Sequence, residues 1–146
     1  MSFDQGPYIQ AAGFCETVVE DKLGALSLIR MIDTINHQAS GPNPPENMPQ
    51  FTYVLKLVVM LKSGSARGRY NLKVVPELPS TETKHPFIIS VEFEGGEKGN
   101  NLVLDMKFDF TMEGLHWFNI YLDNSLLTKV PIRVRYQRIT MQRPLA

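Results

Sequence analysis

Cysteine, histidine and paired carboxylates are the side chains that most often carry chemistry. This sequence of 146 residues holds one cysteine, Cys15, and three histidines, His37, His85 and His116. A cysteine nucleophile needs an imidazole base within hydrogen-bond reach, oriented by a third group. Cys15 stands between Phe14 and Glu16 with no nucleophile motif around it, so it reads as a buried structural thiol. One cysteine also excludes an intrachain disulfide. His116 shares a strand parity with Phe118 and Ile120. It reads as a core or core-edge imidazole with one hydrogen bond. His37 and His85 lie in two long connections and share no metal-site spacing. They are the expected ligand-binding residues, together with Trp117, whose ring suits a sugar or another flat ligand.

The carboxylates select no reaction. Glu20, Asp21, Asp33 and Asp123 could meet at loop ends as oxygen ligands for calcium, but no EF-hand spacing is present. Asp105, Asp109 and Glu113 alternate with Lys107 as on a solvated sheet face, and Glu92, Glu94 and Glu97 read as surface charge. No pair stands out as a glycosidase couple. Gly64-Ser65-Ala66-Arg67-Gly68 lacks the Gly-Lys-Ser/Thr ending of a phosphate cradle and reads as a hairpin turn. The expectation is a protein that is not an enzyme, with no cofactor and no bound metal.

Fifteen basic and fifteen acidic residues cancel to zero net charge. That balance argues against a nucleic-acid partner and permits self-association. The charges are banded. Lys56, Lys62, Arg67, Arg69 and Lys73 fall in an acid-free stretch, and Lys129, Arg133, Arg135, Arg138 and Arg143 fall near the end. Bases stacked on Trp117, Tyr121 or Tyr136 beside these bands would make a nucleic-acid site. Pairing of basic with acidic strands across a sheet accounts for the banding more simply. Neither a signal peptide nor a run of about 20 apolar residues is visible, so a cytoplasmic protein without a membrane span is expected.

Strands must position these residues. Leu102, Leu104, Met106, Phe108, Phe110 and Met112 fall on one face, and Asp105, Lys107, Asp109 and Thr111 on the other. This period of two predicts an antiparallel strand with one dry face. After Gly114, His116, Phe118, Ile120 and Leu122 alternate with Trp117, Asn119 and Tyr121. Asp123-Asn124-Ser125 predicts a turn, and Pro131 an edge position or bulge in the strand that follows. Strands are also predicted over Gln10–Glu20, Leu26–Ile35, Phe51–Leu61, Arg69–Val74 and Phe87–Phe93. Turns are expected at Lys22-Leu23-Gly24 and Ser63-Gly64-Ser65, with a flexible connection at 95–101. A helix across Phe14–Ile35 is the rival, opposed by Gly24 and the β-branched Thr17, Val18 and Val19.

The expected fold is therefore all-β. It is a two-sheet antiparallel β-sandwich, immunoglobulin-like or C2-like, of 7–9 strands, in one domain over residues 1–146. Long loops at about 36–50, rich in proline, and at 76–86 interrupt it.

Three segments carry a resemblance. Ala12-Gly13-Phe14-Cys15-Glu16, followed by Lys22-Leu23-Gly24-Ala25-Leu26-Ser27-Leu28-Ile29 and Asp33, resembles the opening of a family of uncharacterised bacterial and phage β-sandwich proteins. The segment from Glu113 to Asn124 resembles that family's glycine–aromatic–strand–turn hairpin, although Trp117 stands where a tyrosine is more familiar. Leu127, Pro131, Ile132, Arg133 and Val134 resemble its closing strand. The resemblance implies a small β-sandwich without an assigned activity and carries over no catalytic residue. The leading expectation is a non-enzymatic module that binds a protein partner or forms a homo-oligomer, with Phe51–Leu61, apolar on both parities, as its self-pairing edge. A small-ligand, carbohydrate or metal-binding module is the second expectation.

Overall fold

Alternation in the sequence becomes seven strands in a computed structural model, which describes residues 5–141. They are β1 (Tyr8–Glu20), β2 (Leu26–Ile32), β3 (Thr34–Gly41), β4 (Phe51–Glu77), β5 (Phe87–Phe110), β6 (Gly114–Leu122) and β7 (Ser125–Thr140). Hydrogen bonds join them in one sheet of order β2-β1-β4-β6-β7-β3, with β5 along the other side of β4. The segment Phe14–Ile35 is strand throughout its ordered elements, so the helical rival falls. No helix among the described residues is long and apolar enough to cross a membrane.

Two strands are far longer than the residue patterns suggested. β4 has 27 residues and β5 has 24. A straight strand of β4's length would span roughly 90 Å, whereas a chain of this size has a radius of gyration of roughly 15 Å. β4 must therefore double over. Phe14 on β1 pairs with Leu57 of β4, and Phe118 on β6 pairs with Pro76, nineteen residues further along β4. On a flat sheet those points lie roughly 60 Å apart, yet the Phe14 and Phe118 rings meet edge to face at 4.9 Å. The two halves of the sheet thus close on each other. Phe108 completes the cluster at 4.6 Å from Phe118 and 6.2 Å from Phe14.

The bend lies where turns were expected. The β4–β5 register shifts between Lys62 and Gly64 and again between Gly64 and Arg67. Gly64 has φ 58° and pairs with Gly96, whose φ is 67°. The ladder therefore runs through Ser63-Gly64-Ser65 and through 95–101 as a bulged bend rather than ending there. Glycine permits left-handed backbone in a turn and in a bulge alike, which is why the sequence read two turns.

Other corrections concern the ends of elements. The predicted strand Leu26–Ile35 is two strands, because the chain crosses from one half of the sheet to the other at Asp33. There the Asp33 carbonyl accepts the Arg133 amide at 2.8 Å. Residues 36–41, assigned to the proline-rich loop, belong to β3, which pairs with β7 in parallel. The sheet is therefore mixed rather than wholly antiparallel. Phe51–Leu61 is not an edge: β5 lies along all of it and β1 along 56–62. Pro131 faces β6 at Trp117, while β3 pairing begins only at Arg133, so its missing N–H falls on an unpaired side. The dry face of Leu102–Phe110 is as expected, with Met106, Phe108 and Phe110 buried and Asp105, Lys107 and Asp109 exposed.

Candidate functional site

Of the three expected ligand residues, His85 lines a cleft whose walls include neither His37 nor Trp117. His37, on β3, lies flat on Phe51, with ring centroids 4.1 Å apart and planes within 7°. Trp117 takes the opposite face of β6 from Phe118, and the Lys129 ammonium sits 4.8 Å from its ring centroid. Lys73 likewise covers Tyr121 at 5.3 Å. In each pair the ammonium covers one face of the ring, a face on which a base could otherwise stack. Arg143, counted in the second basic band, lies outside the described residues.

The proline-rich connection is braced by its own sheet. The Tyr136 hydroxyl donates to the Pro45 carbonyl at 2.7 Å, and the Arg138 guanidinium donates to the Pro44 carbonyl at 2.9 and 3.2 Å. Pro44 and Met48 are buried beneath it. This segment closes one end of the core.

His85 does line a cavity. A cleft of about 390 Å³ opens beside β5, between residues 107–111 and the connection from β4 to β5. That connection is tied down at its base. The Leu78 amide donates to the Glu82 carbonyl at 2.8 Å, and the Lys84 amide to the Pro76 carbonyl at 2.9 Å. Gly114 lets it pack close, since a β-carbon there would lie 2.9 Å from Pro79 Cγ. Lys84 and His85 are thereby fixed at the cleft's wall. Phe87, Phe108, Phe110 and Phe118 make the apolar surface, and Gln50, Lys107, Asp109 and Thr111 add polar groups.

His116 also lines this cleft and is 3% exposed. Its Nδ1 donates to the Gly114 carbonyl at 3.2 Å, and Phe110 meets its ring edge to face at 5.1 Å. This is the core histidine with one hydrogen bond that its parity predicted. Its Nε2 is buried without a hydrogen-bond partner among the described residues. Burial holds the imidazole pKa below its ordinary value, against a smaller opposing effect of the Gly114 bond. His116 was not among the expected site residues. The β4–β5 connection that completes the cleft lies thirty residues away in the chain, so nothing local marks it.

The other chemically capable groups stand apart. Cys15 is fully buried, and burial raises its thiol pKa, with Lys56 acting more weakly in the opposite direction. No three His, Cys, Asp or Glu side chains among the described residues gather as metal ligands. Asp21 instead caps the β1–β2 turn, accepting the Leu23 and Ala25 amides at 2.8 and 3.0 Å, and Asp123 accepts the Asn71 amide at 2.9 Å.

A second surface feature adjoins the cleft. β5 pairs with β4 alone, so one side of its 24-residue backbone has no strand partner among the described residues.

Comparison with known proteins gives a family and a distant structural likeness. Residues 10–135 match a family of unknown function (DUF6941). An immunoglobulin-like protein from Pseudomonas aeruginosa is similar at 14% identity and a TM-score of 0.42, over 90% of this chain and 98% of that one. No curated protein matches the chain.

Proposed function

The chain belongs to that family of unknown function, which brings no reaction with it, and we propose that it is a non-enzymatic assembly module in which two copies join edge to edge along β5. The observation that carries this reading is the side of β5 that has no strand partner among the described residues, together with its side-chain sequence. An open edge offers a row of backbone donors and acceptors to another strand. Asp105, Lys107 and Asp109 then select the register. Antiparallel pairing about a two-fold axis at Met106 sets each Asp105 opposite the other copy's Lys107. An axis at Phe108 sets Lys107 opposite Asp109. An axis at Lys107 would oppose Asp105 to Asp109 and lysine to lysine, and half-residue slips would set Met106 beside Lys107, dry face against wet. Opposite-charge cross-strand pairs contribute roughly 0.2–1 kcal/mol each, and like pairs oppose association.

We read the doubled-over sheet as a two-layer, immunoglobulin-like or C2-like sandwich, supported by the rings of Phe14 and Phe108 meeting Phe118. Such a joint would continue one layer from copy to copy. A reducing, cytoplasmic setting suits the lone thiol.

Sedimentation equilibrium over a wide concentration range tests the assembly. The native chain should form dimers, and Lys107→Asp should be monomeric. The charge-reversed triple variant, Asp105→Lys with Lys107→Asp and Asp109→Lys, should dimerise again. A native chain that stays monomeric at the highest concentration would end the proposal.

A further inference from the structure

The cleft beside β5 has three chemically distinct zones. One is aromatic, where the buried rings of Phe108 and Phe118 lie 4.6 Å apart. The second is cationic. Its charges are the ammonium groups of Lys84 and Lys107, with the His85 ring beside them as a hydrogen-bonding group. Among the described residues that line the cleft the carboxylate is Asp109, which already accepts the Thr52 hydroxyl. The ion pairs among the described residues join Glu16 to Arg30, Lys56 to Asp105 and Glu94 to Lys98, which leaves Lys84 without a carboxylate partner there, Lys107 being the residue assigned above to the pairing of β5. The third zone is His116. A carbonyl oxygen can only accept, so the proton of the neutral ring sits on Nδ1, facing Gly114. Nε2 is then a bare lone pair, buried and without a hydrogen-bond partner among the described residues. Native proteins leave few such atoms unpaired, because each costs roughly 1–3 kcal/mol.

We propose that the cleft binds a small aromatic carboxylate that bears a hydroxyl group. The ring lies against Phe108 and Phe118, the hydroxyl donates to His116 Nε2, and the carboxylate meets Lys84 and His85. A volume of about 390 Å³ suits a ligand of this size. No second copy of the chain is needed, so the site stands or falls apart from the pairing of β5.

Titration of the full chain with 4-hydroxybenzoate, benzoate and phenol, followed through backbone amide shifts by NMR, tests the site. 4-Hydroxybenzoate should bind tightest and move the amides of His85, Thr111 and Phe118. Removing the hydroxyl, as in benzoate, should weaken binding roughly five- to tenfold, the worth of one hydrogen bond. His116→Phe should abolish the difference between those two acids. Lys84→Glu changes an exposed loop residue and leaves the core intact. It should weaken both acids and leave phenol unchanged, which keeps the charge test independent of how the His116 variant folds. The proposal is overturned by the absence of saturable shifts with 4-hydroxybenzoate, by shifts that map away from the cleft, or by a hydroxyl preference that survives in His116→Phe. Equal binding of the acids by Lys84→Glu and the native chain would remove the carboxylate's assigned place.

Discussion

His116 shows what one residue's parity can and cannot reveal. Its place in the alternation with Phe118 and Ile120 fixed its burial, and burial fixes the sign of its pKa shift. What parity could not reveal is the cleft, because Lys84 and His85 reach it through a connection distant in sequence. The shifted pKa has a consequence for stability. The folded protein takes up the His116 proton only at a lower pH than the unfolded chain, whose imidazole titrates near 6.5. Between the two values the unfolded state holds more protons, so stability rises with pH. The contribution is complete above the unfolded value and is lost as pH falls through that window. Urea unfolding from pH 8 down to pH 5 should show the native protein losing stability faster than His116→Phe, which has no group to titrate there. Parallel curves for the two proteins would mean that this imidazole is not desolvated. Cys15 was legible in the same way, and its buried thiol is where an apolar neighbourhood predicted it.

At the scale of elements, strands were legible and their continuity was not. Each dry face in Phe51–Leu61, Leu102–Phe110 and His116–Leu122 appears where the period of two placed it. The breaks are ambiguous in sequence because a glycine looks the same in a hairpin and in a bulge. The missing clue was the pairing of Gly64 with Gly96 across β4 and β5, which only the fold reveals. The parallel contact of β3 with β7 was equally invisible, since alternation along a strand does not state the direction of its neighbour. The bend nevertheless makes a sharp prediction, because its glycines are needed for different reasons. At Gly99 a β-carbon would lie 2.0 Å from the Leu61 carbonyl oxygen, a backbone atom that cannot swing aside. Gly96 has φ 67° but open space around it. Gly99→Ala should therefore cost about 3 kcal/mol through forced displacement of the chain. Gly96→Ala should cost only about 1 kcal/mol, the penalty of left-handed backbone. Urea denaturation of the two variants measures both, and an equal cost at the two sites would show that the chains are not in close contact at Leu61 and Gly99.

For the molecule as a whole, the family resemblance read from segments between Ala12 and Val134 agrees with a family match over 10–135. The order of strands in space was beyond reach, because it depends on β4 and β5 serving both halves of the sheet. That sharing governs how the protein unfolds. β1 and β2 attach to one half of β4, β6 and β7 to the other, and Phe14 and Phe118 join the halves through ring contact. Neither half keeps its central strands or its share of the core without the other. Unfolding should then be one cooperative transition. The sequence supplies a reporter on each side: its only cysteine, Cys15, in β1, and its only tryptophan, Trp117, in β6. Thiol labelling of Cys15 under urea and the fluorescence of Trp117 should change at the same midpoint. If Cys15 became reactive at a distinctly lower urea concentration while Trp117 kept its native signal, the β1–β2 side would be a separable unit. The bent strands would then be a hinge between two bodies rather than the frame of one.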